Sequence, residues 1–192
     1  MSALNYLIYL LGTIFIWRLI RYISTPLLKQ LGFYKYYSPL FMIMPSFGRT
    51  LDFHLGTSYD FLKLKQINNK IILLYLAEGL MKISDEIEKG NIPKNTIFYG
   101  NTFYLKKKSI KRFGFSARRM NFFESFLFML NYIELCILKS ITMKRPVLIP
   151  LDNVWVIKIT AGDLLDYSEH YRTFYYKLRE KLLPEITETS VS

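Results

Sequence analysis

Residues 70–105 read KIILLYLAEGLMKISDEIEKGNIPKNTIFYGNTFYL, and this stretch carries the two patterns that decide the fold class. In its first half, apolar residues recur at three- and four-residue spacing, which predicts an amphipathic helix from Lys70 to Lys89. The apolar positions are Leu73, Leu76, Ala77, Leu80, Ile83 and Ile87. Gly90 suits the position after a helix, because glycine adopts positive φ without strain.

The second half of the stretch predicts β-structure. Two short runs of β-branched and aromatic residues, TIFY and TFYL, flank Gly100 and Asn101. A Gly-Asn pair between such runs predicts a β-hairpin, and a single strand with a glycine bulge is the alternative. A helix followed by paired strands indicates the α+β class, with a small antiparallel sheet covered by helices.

A long apolar helix is predicted next, from Met120 to Met143. The polar residues that interrupt it lie roughly along one side: Glu124, Asn131, Glu134 and Lys139. A membrane span here would place two carboxylates in hydrocarbon, so a core helix or one lying in the membrane interface is favoured. A second membrane span remains the alternative.

The C-terminal part predicts two strands and a closing helix. The strands are Pro146–Ile149 and Val154–Ile159, and the helix begins with a capping box at Thr160. This helix is expected to reach Leu183, where Pro184 ends it.

The N-terminal residues 1–25 predict a membrane-anchor helix of about twenty apolar residues, the length that crosses a bilayer. Trp17, Arg18 and Arg21 follow the most apolar part and suit the membrane interface. The positive-inside rule then places the body on the cytoplasmic side of a single-pass protein. A buried N-terminal helix and a helix lying in the interface are the alternatives. Residues 26–184 are predicted to form one α+β domain, followed by a flexible tail over 185–192.

Composition limits the classes of partner and site. The chain has 192 residues, a formal net charge of +11, one cysteine and two histidines. An intrachain disulfide, a cysteine-based zinc site and a histidine-rich metal site are therefore excluded, and no cofactor is predicted. The positive charge fits nucleic acid, anionic lipid or a polyanionic glycan.

Residues 106–119, KKKSIKRFGFSARR, form a basic segment that contains no acidic residue. Next to a membrane anchor and an apolar helix, such a segment predicts contact with anionic lipid. The lipid-binding residues would be Lys106, Lys107, Lys108, Lys111, Arg112, Arg118 and Arg119. A solvated surface ranks second and nucleic-acid binding third, because stacking aromatics beside the charge are limited to two phenylalanines.

The densest group of reactive side chains lies in residues 47–61, FGRTLDFHLGTSYDF. His54, Ser58 and Asp60 are the candidate catalytic residues, since a Ser–His–acid set supports acyl transfer or hydrolysis. The segment lacks the Gly-x-Ser-x-Gly elbow of many serine hydrolases. The alternative is that these side chains satisfy backbone groups of an irregular loop.

Four short motifs, in this order, resemble the YkoP-like family over about half of the chain. They are His54-Leu55, Leu76-Ala77, the run Gly100–Leu105 and Gly114-Phe115. The resemblance implies a bacterial envelope setting and a link to glycans, and it implies no catalytic assignment.

Two functions follow as hypotheses. The first is a membrane-anchored accessory or adaptor subunit at the inner membrane surface, with a protein partner and a role in envelope glycan or lipid processes. The second is a small membrane-bound hydrolase or transferase that acts on lipid or glycan through His54, Ser58 and Asp60.

Overall fold

A six-stranded sheet is the centre of the computed structural model, which describes residues 3–46, 48–64 and 67–187. The strands are β1 (Lys35–Ser38), β2 (Phe41–Pro45), β3 (Thr50–Leu55), β4 (Ile97–Thr102), β5 (Ser116–Arg118) and β6 (Trp155–Thr160). Their order across the sheet is β1-β2-β3-β4-β6-β5. The predicted α+β class is confirmed. The prediction of an entirely antiparallel sheet is wrong, because β3 and β4 run parallel across a helical connection.

Helices cover both faces of this sheet. They are α1 (Ala3–Gln30), α2 (Ser58–Lys63), α3 (Asn69–Glu88), α4 (Lys107–Arg112), α5 (Phe122–Met143), α6 (Ala161–Asp166) and α7 (Ser168–Thr187), with a 3-10 turn at Leu151–Asn153. Helix α3 packs against β1, β2, α6 and α7 on one face. Helix α5 lies over the other face, near the point where β3 and β4 run side by side.

The main core lies between the sheet and α3. The rings of Phe53 and Phe98, from the two parallel strands, stack with centroids 4.7 Å apart. Leu80 and Ile83 of α3 are fully buried against this layer. Burying an apolar side chain of this size contributes about 1.5–3 kcal/mol, so this layer holds the fold together.

The predicted helix at 70–89 is confirmed as α3. The Asn68 side chain accepts hydrogen bonds from the backbone N–H groups of Lys70 and Ile71, at 2.9 and 3.0 Å, and so begins the helix. Gly90 follows its end with φ of 78°. The apolar spacing, the cap and the final glycine all agree with the observed bounds.

The predicted hairpin at Gly100-Asn101 is wrong, because β4 continues through both residues as a single strand. The glycine is needed for close packing rather than for a turn. A Cβ atom on Gly100 would lie 3.0 Å from the Phe53 carbonyl oxygen in the neighbouring strand. Glycine therefore marks a close backbone approach at this position.

Two further predictions at the C-terminal end are wrong. Residues 146–149 form no strand and instead run along α5, where the Tyr132 hydroxyl donates a hydrogen bond to the Ile149 carbonyl oxygen at 3.0 Å. The closing helix divides at Tyr167 into α6 and α7. Helix α7 also continues through Pro184, since a proline in the last turn removes few helical hydrogen bonds.

The stretch between α1 and α2 contains three strands, and β3 lies where an irregular loop was the alternative for residues 47–61. Helix α1 runs through Pro26 and past residue 25 to Gln30, and β1, β2 and β3 follow within residues 35–55. Residues 188–192 of the predicted tail lie outside the described part of the chain.

Candidate functional site beneath helix α5

The sheet has one apolar face and one polar face in the region of β3 and β4. Side chains alternate along a strand, so Phe53 enters the core while Asp52 and His54 lie on the opposite face. Asp52 is aligned with Tyr99 across the parallel pair, which places Tyr99 and Asn101 on the same polar face. Four polar side chains thus share one area of the sheet.

Helix α5 turns its polar side toward this face. Glu124, Asn131 and Glu134 all line the space between the helix and the sheet. Their spacing of seven and three residues keeps them on one side of a helix. The polar stripe seen in the sequence is therefore the inward side of α5.

The space between α5 and the sheet is a pocket of about 350 Å³. Its polar lining comes from Asp52, His54, Ser58, Asn101, Asn131 and Glu134. Its apolar lining includes Phe103, Phe128 and Leu135. A cavity of this size, with a few polar groups set among apolar walls, is typical of a small-molecule site.

The structure brings two of the three predicted catalytic residues to this pocket. His54 and Ser58 both line it, and His54 is half-buried. The Ser58 hydroxyl donates a hydrogen bond to the Glu134 carboxylate of α5. A serine, a histidine and a carboxylate therefore do line one pocket, and the carboxylate comes from a helix far away in sequence.

Asp60, the third predicted catalytic residue, is not among the residues that line the pocket and makes its contacts elsewhere. Its carboxylate accepts hydrogen bonds from the Thr57 backbone N–H at 2.8 Å, the Thr57 hydroxyl at 2.9 Å and the Tyr36 hydroxyl at 2.6 Å. Asp60 is buried and forms the capping box at the start of α2. In this structure its carboxylate holds the beginning of the helix that presents Ser58.

At one end of α5, Arg118 and Glu124 form a two-point ion pair. The guanidinium Nη1 and Nη2 lie 2.7 and 2.6 Å from the two carboxylate oxygens, and Tyr99 donates a hydrogen bond to the same carboxylate. The hydrogen bonds from Arg118 lower the pKa of Glu124 to about 2. Burial, followed by the contact with Glu124, raises the pKa of Tyr99 to about 12.

At the other end, Tyr104 lines the pocket with its ring. Its hydroxyl is buried beside Thr142, and burial raises the pKa of this hydroxyl to about 12. The Lys139 ammonium lies 4.1 Å from the centre of this ring, and burial lowers the pKa of Lys139.

The outer face of α5 is apolar and exposed, whereas a helix on the surface of a soluble protein exposes its polar face and buries its apolar one. Its exposed residues are Phe122, Phe123, Phe126, Met129, Leu130, Ile133, Ile137 and Ile141. Ile133, at the middle of the face, is 75% exposed. Among the described helices, α5 is long and apolar enough to cross a membrane by length and composition, and only 22% of its apolar window is buried in the protein.

Exposed basic residues flank this apolar face at both ends. Arg119 precedes α5, and Lys144 and Arg145 follow it. Arg119 and Lys107 both lie over the Trp155 ring, at 4.1 and 5.1 Å from its centre, which joins the basic segment to the start of α5. All seven basic residues predicted to bind lipid are exposed.

The described side chains along the first two thirds of α1 are exposed. Further along the helix, the Tyr22 ring packs edge-on against Tyr59 at 5.4 Å. Trp17 is 65% exposed, and the side chains of Arg18 and Arg21 lie outside the described residues. The N-terminal span therefore remains a prediction.

Comparisons with known proteins return no relative for this chain: no family model, curated protein or solved structure matches. The YkoP-like resemblance thus remains a prediction from short motifs. Within residues 3–46, 48–64 and 67–187, no three His, Cys, Asp or Glu side chains are grouped so as to hold a metal ion.

Proposed function

We propose that this protein is an accessory protein of the membrane surface, with α5 lying along the lipid and α1 crossing the bilayer. The observation that carries the proposal is the outer face of α5, where eight large apolar side chains are exposed side by side. Soluble monomers rarely expose a continuous apolar patch of more than a few hundred Å². Contact with lipid would remove this apolar face from water, and no second protein chain is then needed to cover it.

The charges around α5 favour a position parallel to the membrane. Basic residues lie beyond both of its ends, where they can reach lipid headgroups while the apolar face enters the acyl region. A perpendicular span would instead carry Glu134 and Asn131 into hydrocarbon together with the pocket that they line. The in-plane arrangement leaves the pocket just above the lipid.

Helix α1 supplies the second attachment. Its residues from Ala3 to the contact at Tyr22 would extend roughly 30 Å, which matches the hydrocarbon thickness of a bilayer. Arg18 and Arg21 then lie at the body side, so the positive-inside rule supports a cytoplasmic body. Each basic residue of the 106–119 segment near anionic lipid adds about 1 kcal/mol of binding.

Flotation with lipid vesicles tests this proposal. The full chain is reconstituted with vesicles of phosphatidylcholine and phosphatidylglycerol. The vesicles are then washed with about 1 M salt, which screens the attraction between surface charges and lipid headgroups. The expected result is flotation with the lipid before and after the wash. Complete release by salt would show that attachment is only electrostatic, and failure to float would overturn the proposal.

Body orientation is tested separately in cells. A cysteine introduced as Glu88→Cys, on α3 and far from α5, is treated with a membrane-impermeant maleimide, in a Cys136→Ala background. We expect labelling only after the cells are permeabilised. Labelling of intact cells would place the body outside and contradict the cytoplasmic assignment.

A membrane-bound hydrolase or transferase is the second candidate function, favoured by the Ser58–Glu134 hydrogen bond in a pocket that His54 also lines. In this proposal Ser58 is the nucleophile and Glu134, which accepts the hydrogen bond of the Ser58 hydroxyl, is the base, while His54 lines the same pocket. A fluorophosphonate probe, which reacts with activated serines, tests it on the full chain in vesicles. Labelling that disappears in Ser58→Ala supports the enzyme, and absent labelling or equal labelling of Ser58→Ala contradicts it.

A further inference from the structure

We propose that the pocket beneath α5 binds the uncharged, polyhydroxylated headgroup of a lipid, such as a single hexose on an acyl tail. This inference rests on the proposed membrane position and adds the ligand class. Three carboxylates line the pocket, those of Asp52, Glu124 and Glu134. The Glu124 carboxylate is paired with the Arg118 guanidinium.

The charge of the pocket lining is opposite in sign to the charge of the outer surface around α5. The exposed residues around α5 are basic and attract anionic lipid, whereas the pocket lining carries carboxylates that repel a phosphate group. The lipids that hold the protein to the membrane and the ligand that enters the pocket therefore differ in class. An anionic headgroup suits the surface, and a neutral one suits the pocket.

Hydroxyl groups are the neutral groups that this lining can bind in number. A sugar hydroxyl both donates and accepts, and the pocket offers carboxylate acceptors at Asp52 and Glu134 with amides at Asn101 and Asn131.

The apolar lining and the position of α5 account for the acyl tail. Leu127 is exposed and also lines the pocket, so the space between α5 and the sheet reaches the surface near the outer apolar face. A pocket of about 350 Å³ accommodates one sugar ring rather than a whole lipid. The tail of such a ligand can stay in the lipid while its headgroup enters.

Two probes with the same tail test the inference. The full chain in lipid nanodiscs is titrated with octyl β-glucoside or with octylphosphocholine, each below the concentration at which it forms micelles. Binding is followed by saturation-transfer NMR on the headgroup protons, with empty nanodiscs as the blank. We expect saturable transfer to the sugar ring protons, no competition from octylphosphocholine, and about tenfold or more weaker binding in Asp52→Asn and in Glu134→Gln.

Glu88→Gln, an exposed change on α3, is the matched control and should bind octyl β-glucoside like the original chain. Equal binding of octylphosphocholine, or unchanged affinity in both pocket variants with unchanged melting temperatures, would overturn the inference. A protein that floats with vesicles but gives no sugar signal overturns this inference alone. A protein that fails to float overturns the proposed function, whatever the sugar result.

Discussion

The Ser58 hydroxyl donates a hydrogen bond to the Glu134 carboxylate and so joins the start of α2 to the middle of α5, across 76 positions of sequence. Both residues line the pocket, so this contact forms part of its wall. Together with the hydrogen bond from Tyr99 to Glu124, it links α5 to the elements on the opposite side of the pocket.

A double-mutant cycle should detect this contact. Ser58→Ala, Glu134→Gln and the double variant are unfolded with urea in detergent solution. A hydrogen bond to a carboxylate contributes about 1.5–3 kcal/mol, so we expect a coupling free energy of about 1 kcal/mol after partial replacement by the amide. A coupling near zero would mean that the two side chains do not interact in solution.

The ion pair between Arg118 and Glu124 predicts a loss of stability in acid. The pKa of Glu124 is about 2 in the folded protein, below its ordinary value of 4.5, so the folded state favours the ionised carboxylate. This contribution is complete above pH 4.5 and is lost as the pH falls toward 2. Melting temperatures recorded over that range should fall less steeply in Arg118→Gln than in the original chain, and parallel curves would contradict the assignment.

Lys144 ends α5 in the left-handed conformation, with φ of 52°. A side chain with a Cβ atom is strained there, whereas glycine is not. Lys144→Gly should therefore raise the free energy of unfolding by about 0.5–1 kcal/mol. Lys144→Ala removes the same charge but keeps the Cβ atom, and an equal gain from alanine would show that the backbone strain is not the cause.

Gly79 tests how closely α3 packs against the sheet. A Cβ atom at this position would lie 2.1 Å from Cδ1 of Phe41. Helix propensity alone favours Gly79→Ala by about 1 kcal/mol, but overpacking costs about 1–3 kcal/mol, so we expect a net loss of stability by urea unfolding. Gly162→Ala in α6 meets only ordinary contacts and should be neutral or stabilising. A stabilising Gly79→Ala would contradict the described packing of α3 on β2.

The parts of the fold that were predictable are those where a local signal and the tertiary environment agree. Helix α3 has its apolar spacing and Gly90 within one stretch, so its bounds followed from the sequence to within one residue at each end. Strands β1 and β2 were missed because they are short and β2, FMIMP, is apolar throughout and shows no alternation. The alternation of β3, TLDFHL, is present in the sequence but coincides with the group of reactive side chains. Gly100 suggested a turn, whereas it permits close contact with Phe53, and that requirement comes from a neighbouring strand.

The site was predictable in part for the same reason. His54 and Ser58 are close in sequence and line one pocket in the structure. In the sequence Glu134 is one polar residue of an apolar helix, and nothing local indicates that this side of α5 faces Ser58. Asp60 is near Ser58 in sequence, which suggests a shared site, whereas in the structure Asp60 caps the helix that carries Ser58.

The most direct test of the membrane assignment is the depth of the α5 outer face in lipid. Nitroxide labels are placed at Phe126→Cys, Ile133→Cys and Ile141→Cys, in a Cys136→Ala background, and their collisions with oxygen and a water-soluble nickel chelate are compared in vesicles. These positions cover about 22 Å of helix, so a helix parallel to the surface puts all three at a similar shallow depth. Labels that all collide freely with the nickel chelate, or a middle label much deeper than its neighbours, would contradict the account.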